Sequence, residues 1–370
     1  MGAARRRIWV VALAATLVVP MGAEHAAQAG AASPVTTVQI HSSYENSRRS
    51  ISRDIGISTQ LPDGHQLWLF GDTGIWDNDG TWHQSHFIPG STAMLAKGAR
   101  GTVPKGGELP SGTPKIFLPT PKNVYLPDGS GQPCVPPDAA FAARWPTGVA
   151  VLPSHTAEVL VTYAEVCVTK PNKDKVVVRG EGWGFALYNW RKKRIDKLLD
   201  VFTPKVNGAA LSPLKMFGDP IFTNGSVTMY SSQCTAYYVG CSSGQVSSVT
   251  MPGTVSALST TKSYQVKQLS TDGTSIWSPL AISVGRYPGG YRLLETTSIT
   301  GTYKLFSATQ PNGPWHLERS DSLPGCPSQK RFCFALEGHP ELSTASTLIV
   351  SYHDPDSGPG GHIVVSAIPD

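Results

Sequence analysis

Two aspartates, Asp54 and Asp72, close the two ends of the stretch RDIGISTQLPDGHQLWLFGDTG, which runs from Arg53 to Gly74. Between them, IGISTQL and HQLWLFG are short β-type runs around a Pro-Asp-Gly turn, the pattern of a β-hairpin. Folding about Asp63 brings Asp54 opposite Asp72, and a slip of one residue leaves them neighbours. Directly opposed side chains have Cβ atoms roughly 5 Å apart, where two like charges cost stability. Glycosidic-bond cleavage needs such a pair: one carboxyl protonates the leaving oxygen and the other attacks or activates water. Their proximity raises the pKa of one, so that one can stay an acid while the other stays a base. The structural alternatives are a turn cap for Asp72 and an ion pair with neighbouring Arg53 for Asp54.

The elements that must position this pair recur along the chain. DIGISTQLPDGHQLWLFGD near Asp54, PTGVAVLPSHTAEVLVTYAEV near Pro146, DPIFTNGSVTMYSS near Asp219, SPLAISVGRYPGGYRLLETT near Ser278 and HPELSTASTLIVSYHD near His339 each read as strand, turn and more apolar strand. With hardly any helical period, the chain is expected to be all-β, a five-bladed β-propeller with a central channel; a sandwich domain followed by a second β domain is the alternative. The positions equivalent to Asp54 would then ring the channel: Asp138, Asp219, Arg286, and His339 with Glu341. Glu341 rivals the aspartates for the catalytic acid, sharing His339's face of an alternating strand. Arg286 and Tyr287 fall in a Gly-rich bend, where a cation could hold a hydroxyl-rich ligand. The loop GIWDNDGTWHQSHF, with Trp76, Trp82, His83 and His86, reads as a sugar subsite, since aromatic faces stack on sugar rings; Arg53 joins Trp76 and His86 as a substrate contact. A Gly-, Pro- and Lys-rich segment from Lys97 to Pro137 is expected to be a long irregular loop.

The start, MGAARRRIWVVALAATLVVP, combines Arg5, Arg6 and Arg7 with an apolar run too short to span a bilayer, and Ala27-Gln28-Ala29 offers a cleavage site. Residues 1–29 are expected to be a signal peptide, 30–35 a flexible segment and 36–370 one catalytic domain of a secreted monomer without a membrane anchor. The chain has 31 basic and 26 acidic residues, and losing the three arginines and Glu24 reduces the excess to about three, too weak for a nucleic-acid partner. RKKR at Arg191 to Arg194 reads as a solvated hairpin turn. Six cysteines in an exported chain suggest three disulfides, Cys134–Cys167, Cys234–Cys241 and Cys326–Cys333. DNDG lacks the later glutamate of a calcium loop, and His83 and His86 form no zinc motif, so no metal and no cofactor are expected. No phosphate-binding Gly-rich loop, G-x-S-x-G elbow or H-E-x-x-H occurs, which argues against nucleotide enzymes, serine esterases and zinc proteases.

RDIG followed by LWLFGDT, FGDP in a middle unit, SATQPNGPW in the fourth, and GHPELS with LIVSYHDP in the last resemble a family of exported actinobacterial five-bladed propellers. That family, long catalogued as a domain of unknown function, is associated with endo-D-arabinanase activity. The resemblance spans most of the chain after the leader, through short motifs. It implies hydrolysis of a furanoside polymer, cell-wall arabinan or arabinogalactan, with Asp54 and Asp72 at the acidic positions of the first blade. A non-catalytic sugar-binding propeller is the alternative, and a fold alone does not choose between the two.

Overall fold

The computed structural model describes residues 37–97, 105–122, 124, 132–134, 141–172, 175–201, 205–206, 209–210, 216–232, 246–276, 282–298, 300–326 and 333–370. The protein is all-β. Strand β1 (Val38–Gln39) is followed by a long ribbon in which β2 (Arg49–Arg53) and β3 (Ile57–Gln60) run up to the Pro62-Asp63-Gly64 turn, and β4 (His65–Phe70) and β5 (Thr73–Asn78) run back. One register holds throughout, from Arg49↔Asp77 and Arg53↔Thr73 to Ile57↔Leu69 and Gln60↔Gln66. The hairpin expected about Asp63 is therefore present, and it extends beyond both aspartates. Strand β6 (Trp82–Ile88) pairs with β5, so the segment expected to be a loop is a second hairpin; β2, β5 and β6 form a separate three-stranded sheet.

Among the described residues, five four-stranded antiparallel sheets follow. The first joins β3 and β4 to β7 (Thr92–Lys97) and β8 (Lys105–Leu109), so β8 supplies an ordered outer strand within the segment expected to be irregular. The second comprises β9 (Phe141–Val151), β10 (Glu158–Asn172), β11 (Lys175–Asn189) and β12 (Arg194–Val201), and RKKR sits at its last turn as expected. After a short ladder of β13 (Lys205–Val206) and β14 (Ala209–Ala210), the third holds β15 (Met216–Thr223), β16 (Ser226–Ser232), β17 (Val246–Pro252) and β18 (Gln265–Gln268). A second short ladder, β19 (Ser270–Thr271) with β20 (Thr274–Ser275), precedes the fourth sheet of β21 (Ile282–Tyr287), β22 (Gly290–Thr296), β23 (Thr302–Ala308) and β24 (His316–Ser322). The fifth contains β25 (Phe334–Gly338), β26 (Thr347–Asp354) and β27 (His362–Pro369), and β1 completes it through Val38↔Val365 and Gln39↔Val364.

Apolar layers between successive sheets close this order into a ring. Leu69, Val159, Val161 and Ala186 pack the first sheet on the second; Trp183, Phe185, Met229 and Val249 pack the second on the third. Tyr230, Val246, Leu293 and Phe306 join the third to the fourth, and Leu294, Leu305, Leu348 and Val350 the fourth to the fifth. Trp68, Met94, Ile349 and Ile363 return from the fifth to the first. Consecutive residues such as Met229 and Tyr230, or Leu293 and Leu294, serve opposite faces, as the two-residue period of a strand requires when both faces are buried. Disulfides Cys134–Cys167 and Cys326–Cys333 form as expected; Cys234–Cys241 lies outside the described residues.

A further expectation about the fold is corrected. The fifth unit was expected to begin its strand at His339, with Glu341 on the same face. The strand is instead β25, which ends at Gly338, and His339 to Glu341 form the turn that leaves it. Pro340 has no N–H to give a ladder, and the amides of Leu342 and Ser343 both bond back to the His339 carbonyl (3.1 Å each).

Candidate functional site

The first strands of the sheets meet side by side, and acidic side chains gather where they meet. At the head of β3, the chain passes through Asp54 and Ile55, whose φ of 56° lies in the left-handed region. A β-branched residue avoids that region, and strain of this kind is concentrated at functional sites. The Asp54 amide donates to the Asp72 carbonyl (3.1 Å) and the Gly71 amide to the Asp54 carbonyl (2.7 Å), which seats the two aspartates opposite each other. Asp72 Oδ1 accepts the Gly90 amide (2.7 Å) and the Trp145 indole N–H (2.9 Å). These donors come from the connection leading into β7 of the first sheet and from β9 of the second, so Asp72 is oriented across their junction and does more than cap its own turn. The Asp54 side chain keeps 34% of its surface open, yet the walls around it desolvate the carboxyl and push its pKa up to about 7. His353 on β26 donates from Nδ1 to the Arg53 carbonyl (2.9 Å) and lies 3.7 Å from Asp54 Oδ1.

A second group stands on the other inner strands. Asp219 sits at a bulge of β15 with φ 49°, and its Oδ2 accepts the Val284 amide of β21 at 2.6 Å. Glu337 of β25 shares Ser283 as a hydrogen-bond partner with Asp219, and burial followed by the Asp219 charge pushes Glu337 well up; burial raises Asp219 as well. Tyr287 is buried among Asp219, Glu341 and Glu337, and burial first, then those charges, holds its hydroxyl in the neutral form. Glu341 is hydrogen-bonded to the Ser58 hydroxyl of β3, and burial pushes its pKa up to about 7. His339, fully buried against the Trp68 ring (centroids 4.5 Å apart), is driven down to about 3 by burial and is neutral at ordinary pH.

Of the residues singled out in the sequence, Asp54, Asp72, Asp219, Tyr287, His339 and Glu341 are brought to these inner strands. Asp138 lies outside the described residues. Arg53 is a correction: its guanidinium is buried in an ion pair with Glu108 (2.6 Å) and lies over the Phe70 ring. That also removes the ion pair between Arg53 and Asp54 considered above. Arg286 is part of β21 and exposed, not in a bend. Trp76 is half-buried, donating to Ser52 Oγ (2.9 Å) under the backbone of Gly360, whereas His86 and Trp82 are exposed on β6. Sequence reasoning missed Ser58, Trp145, Ser283, Glu337 and His353. Glu337 was within reach, since FALEG is a β-type run directly before HPELS; the others are uncharged residues on strands, and no local pattern marks them.

No family profile matches the chain and no curated protein sequence does. Among solved structures, the chain is similar to the GH43_1 enzyme of Xanthomonas citri complexed with xylose (12% identity, 86% of this chain and 87% of that one, TM-score 0.47). It is also similar to a GH43 β-xylosidase/α-arabinofuranosidase from a compost microbial metagenome in complex with xylotriose (13%, 86% and 91%, 0.46) and to a family 117 glycoside hydrolase of Zobellia galactanivorans (9%, 90% and 89%, 0.47).

Proposed function

We propose that the ring of sheets is a single five-bladed propeller domain and that the protein is a secreted glycoside hydrolase cleaving arabinofuranosyl linkages of a cell-wall arabinan. The observation that carries this reading is the Asp54/Asp72 pair. Asp54 and Asp72 hold opposed backbone positions in a hairpin; the first carboxyl is partly open with its pKa raised to about 7 by burial, the second is fixed by two N–H donors, and a third carboxyl, Glu341, is hydrogen-bonded to Ser58 of the strand that Asp54 heads. Carboxyls gathered in this way can supply the proton donor and the base or nucleophile that glycoside cleavage needs. The arabinan substrate rests on the sequence motifs described above.

The test is incubation of the purified protein with arabinan and arabinogalactan, with chromatographic separation of the products, beside Asp54→Asn and Asp72→Asn. Shortened oligosaccharides from the wild type and none from either variant support the reading. Retention of arabinan by all three proteins with no cleavage by any would overturn it in favour of a sugar-binding protein.

A further inference from the structure

The hydrogen bonds behind Glu341 form a chain whose direction can be worked out from its buried end. The Gly56 carbonyl can only accept, so Ser351 gives its single O–H to it (2.9 Å). Ser351 Oγ, also 2.9 Å from His339 Nε2, must then receive the ring's N–H. The imidazole is neutral, because full burial against Trp68 disfavours its charge, so a proton on Nε2 leaves Nδ1 with a lone pair. Nδ1 lies 2.6 Å from Ser58 Oγ and takes that hydroxyl's only proton. Ser58 Oγ has no hydrogen left for Glu341, and the close contact between them is satisfied by a proton on the carboxyl.

We propose that Ser351, His339 and Ser58 form a one-way hydrogen-bond relay that keeps the proton on Glu341, making Glu341 the proton donor of the site and Ser58 and His339 its positioning residues. This deepens the glycosidase reading above and rests on it for the donor role. In the reaction, the Glu341 proton passes to the glycosidic oxygen as the bond from that oxygen to the anomeric carbon breaks, the electron pair staying on oxygen. Water, activated by an aspartate or arriving after aspartate attack, completes the exchange, and solvent returns the proton to Glu341. The groups facing Glu341 are Tyr287 of β21 and His339 (Nδ1 3.9 Å from Glu341 Oε1); Glu337 of β25 and Asp219 of β15 act on the same Tyr287, and Asp54 stands at the head of the strand that carries Ser58. A Ser58 hydroxyl that donated to Glu341 would lower its pKa against burial; with its proton committed to His339 it accepts instead, and then acts with burial to favour the protonated acid.

Three measurements test this. In the wild-type protein, ¹⁵N NMR of His339 should show the proton on Nε2 and a bare Nδ1; a proton on Nδ1 overturns the relay. In ¹³C-glutamate-labelled protein, with the Glu341 signal assigned through Glu341→Gln, Ser58→Ala should lower the Glu341 pKa by up to about one pH unit, the equivalent of one net hydrogen bond. Ser58→Thr, which keeps the hydroxyl, should restore it. An upward shift in Ser58→Ala would mean that Ser58 donates to a carboxylate and would overturn the proposal. Both spectra are read without substrate, so they decide the relay even if arabinan is not the substrate. For the donor role, turnover by Ser58→Ala should lose its alkaline side at correspondingly lower pH, and Glu341→Gln should be inactive; full turnover by Glu341→Gln overturns that role.

Discussion

At the scale of single residues, the site joins groups whose environments push them towards neutrality from both directions. Desolvation raises Asp54 and Glu341 to about 7 and lowers His339 to about 3. With Glu341 needed protonated and Asp54 needed ionised, the fraction of correctly charged enzyme should peak near pH 7 and fall on both sides. The pH profile of kcat on arabinan is therefore expected to be a narrow bell; a plateau extending above pH 8 would contradict the acid assignment. Asp54→Asn and Asp72→Asn keep shape and remove the carboxyl, so each should lower kcat by a factor on the order of 10² or more with folding retained, read by turnover beside circular dichroism. The two aspartates were legible because opposition in a hairpin is a local matter: turn type and alternation fix the register. His353 was not, because it reaches the Arg53 carbonyl from 300 residues away in sequence, a separation that no local pattern crosses.

At the scale of elements, the strands and turns of the first four units were legible from apolar runs punctuated by Gly, Pro, Asp and Asn. The exceptions have physical causes. HPELS carries alternating polar and apolar residues, but Pro340 breaks the ladder and turns the chain, so the fifth unit was placed one element too late and Glu337 was overlooked. DNDG, read as one turn within a loop, is the tip of the β5/β6 hairpin. How closely inner strands approach also lies outside the reach of pattern. At Gly148 of β9, an added Cβ would lie 2.2 Å from the Asp219 amide nitrogen and 2.8 Å from Pro220 Cδ, both on the bulge that turns Asp219 inward. Gly148→Ala must push the second and third sheets apart at that point. A loss of about 1–3 kcal/mol in urea unfolding, the usual cost of overpacking, is expected together with reduced turnover. Gly225→Ala makes a useful comparison, since a Cβ there meets nothing within 4 Å and its left-handed φ of 77° would strain the backbone alone. Its cost should appear in stability and leave turnover unchanged.

At the scale of the whole molecule, the ring depends on its two ends meeting. Only two residues of β1 pair with β27, and the Ile40 amide adds a bond to the Ile363 carbonyl (3.0 Å). Hydrogen bonds of this number add little net stability against those water would supply. The apolar contribution is larger: Ile40 is 6% exposed and packs with Trp68, Phe70 and Met94 of the first sheet and with Ile349, Ile363 and Val365 of the fifth. Among the described residues of the N-terminal segment, it is the one placed in the layer that closes the ring. Val38, two positions earlier, is 37% exposed and shares the strand without sharing that layer. Ile40→Ala leaves every backbone bond intact and opens a cavity between the first and last sheets, so it should cost about 2–5 kcal/mol in urea unfolding, while Val38→Ala should cost less than about 1 kcal/mol. If closure is the source of the loss, amide exchange in Ile40→Ala should quicken in both β4 and β27 and stay slow in the layer between the second and third sheets around Trp183 and Met229. Equal losses from the two variants would mean that the strand holds the ring by its hydrogen bonds and not by this core.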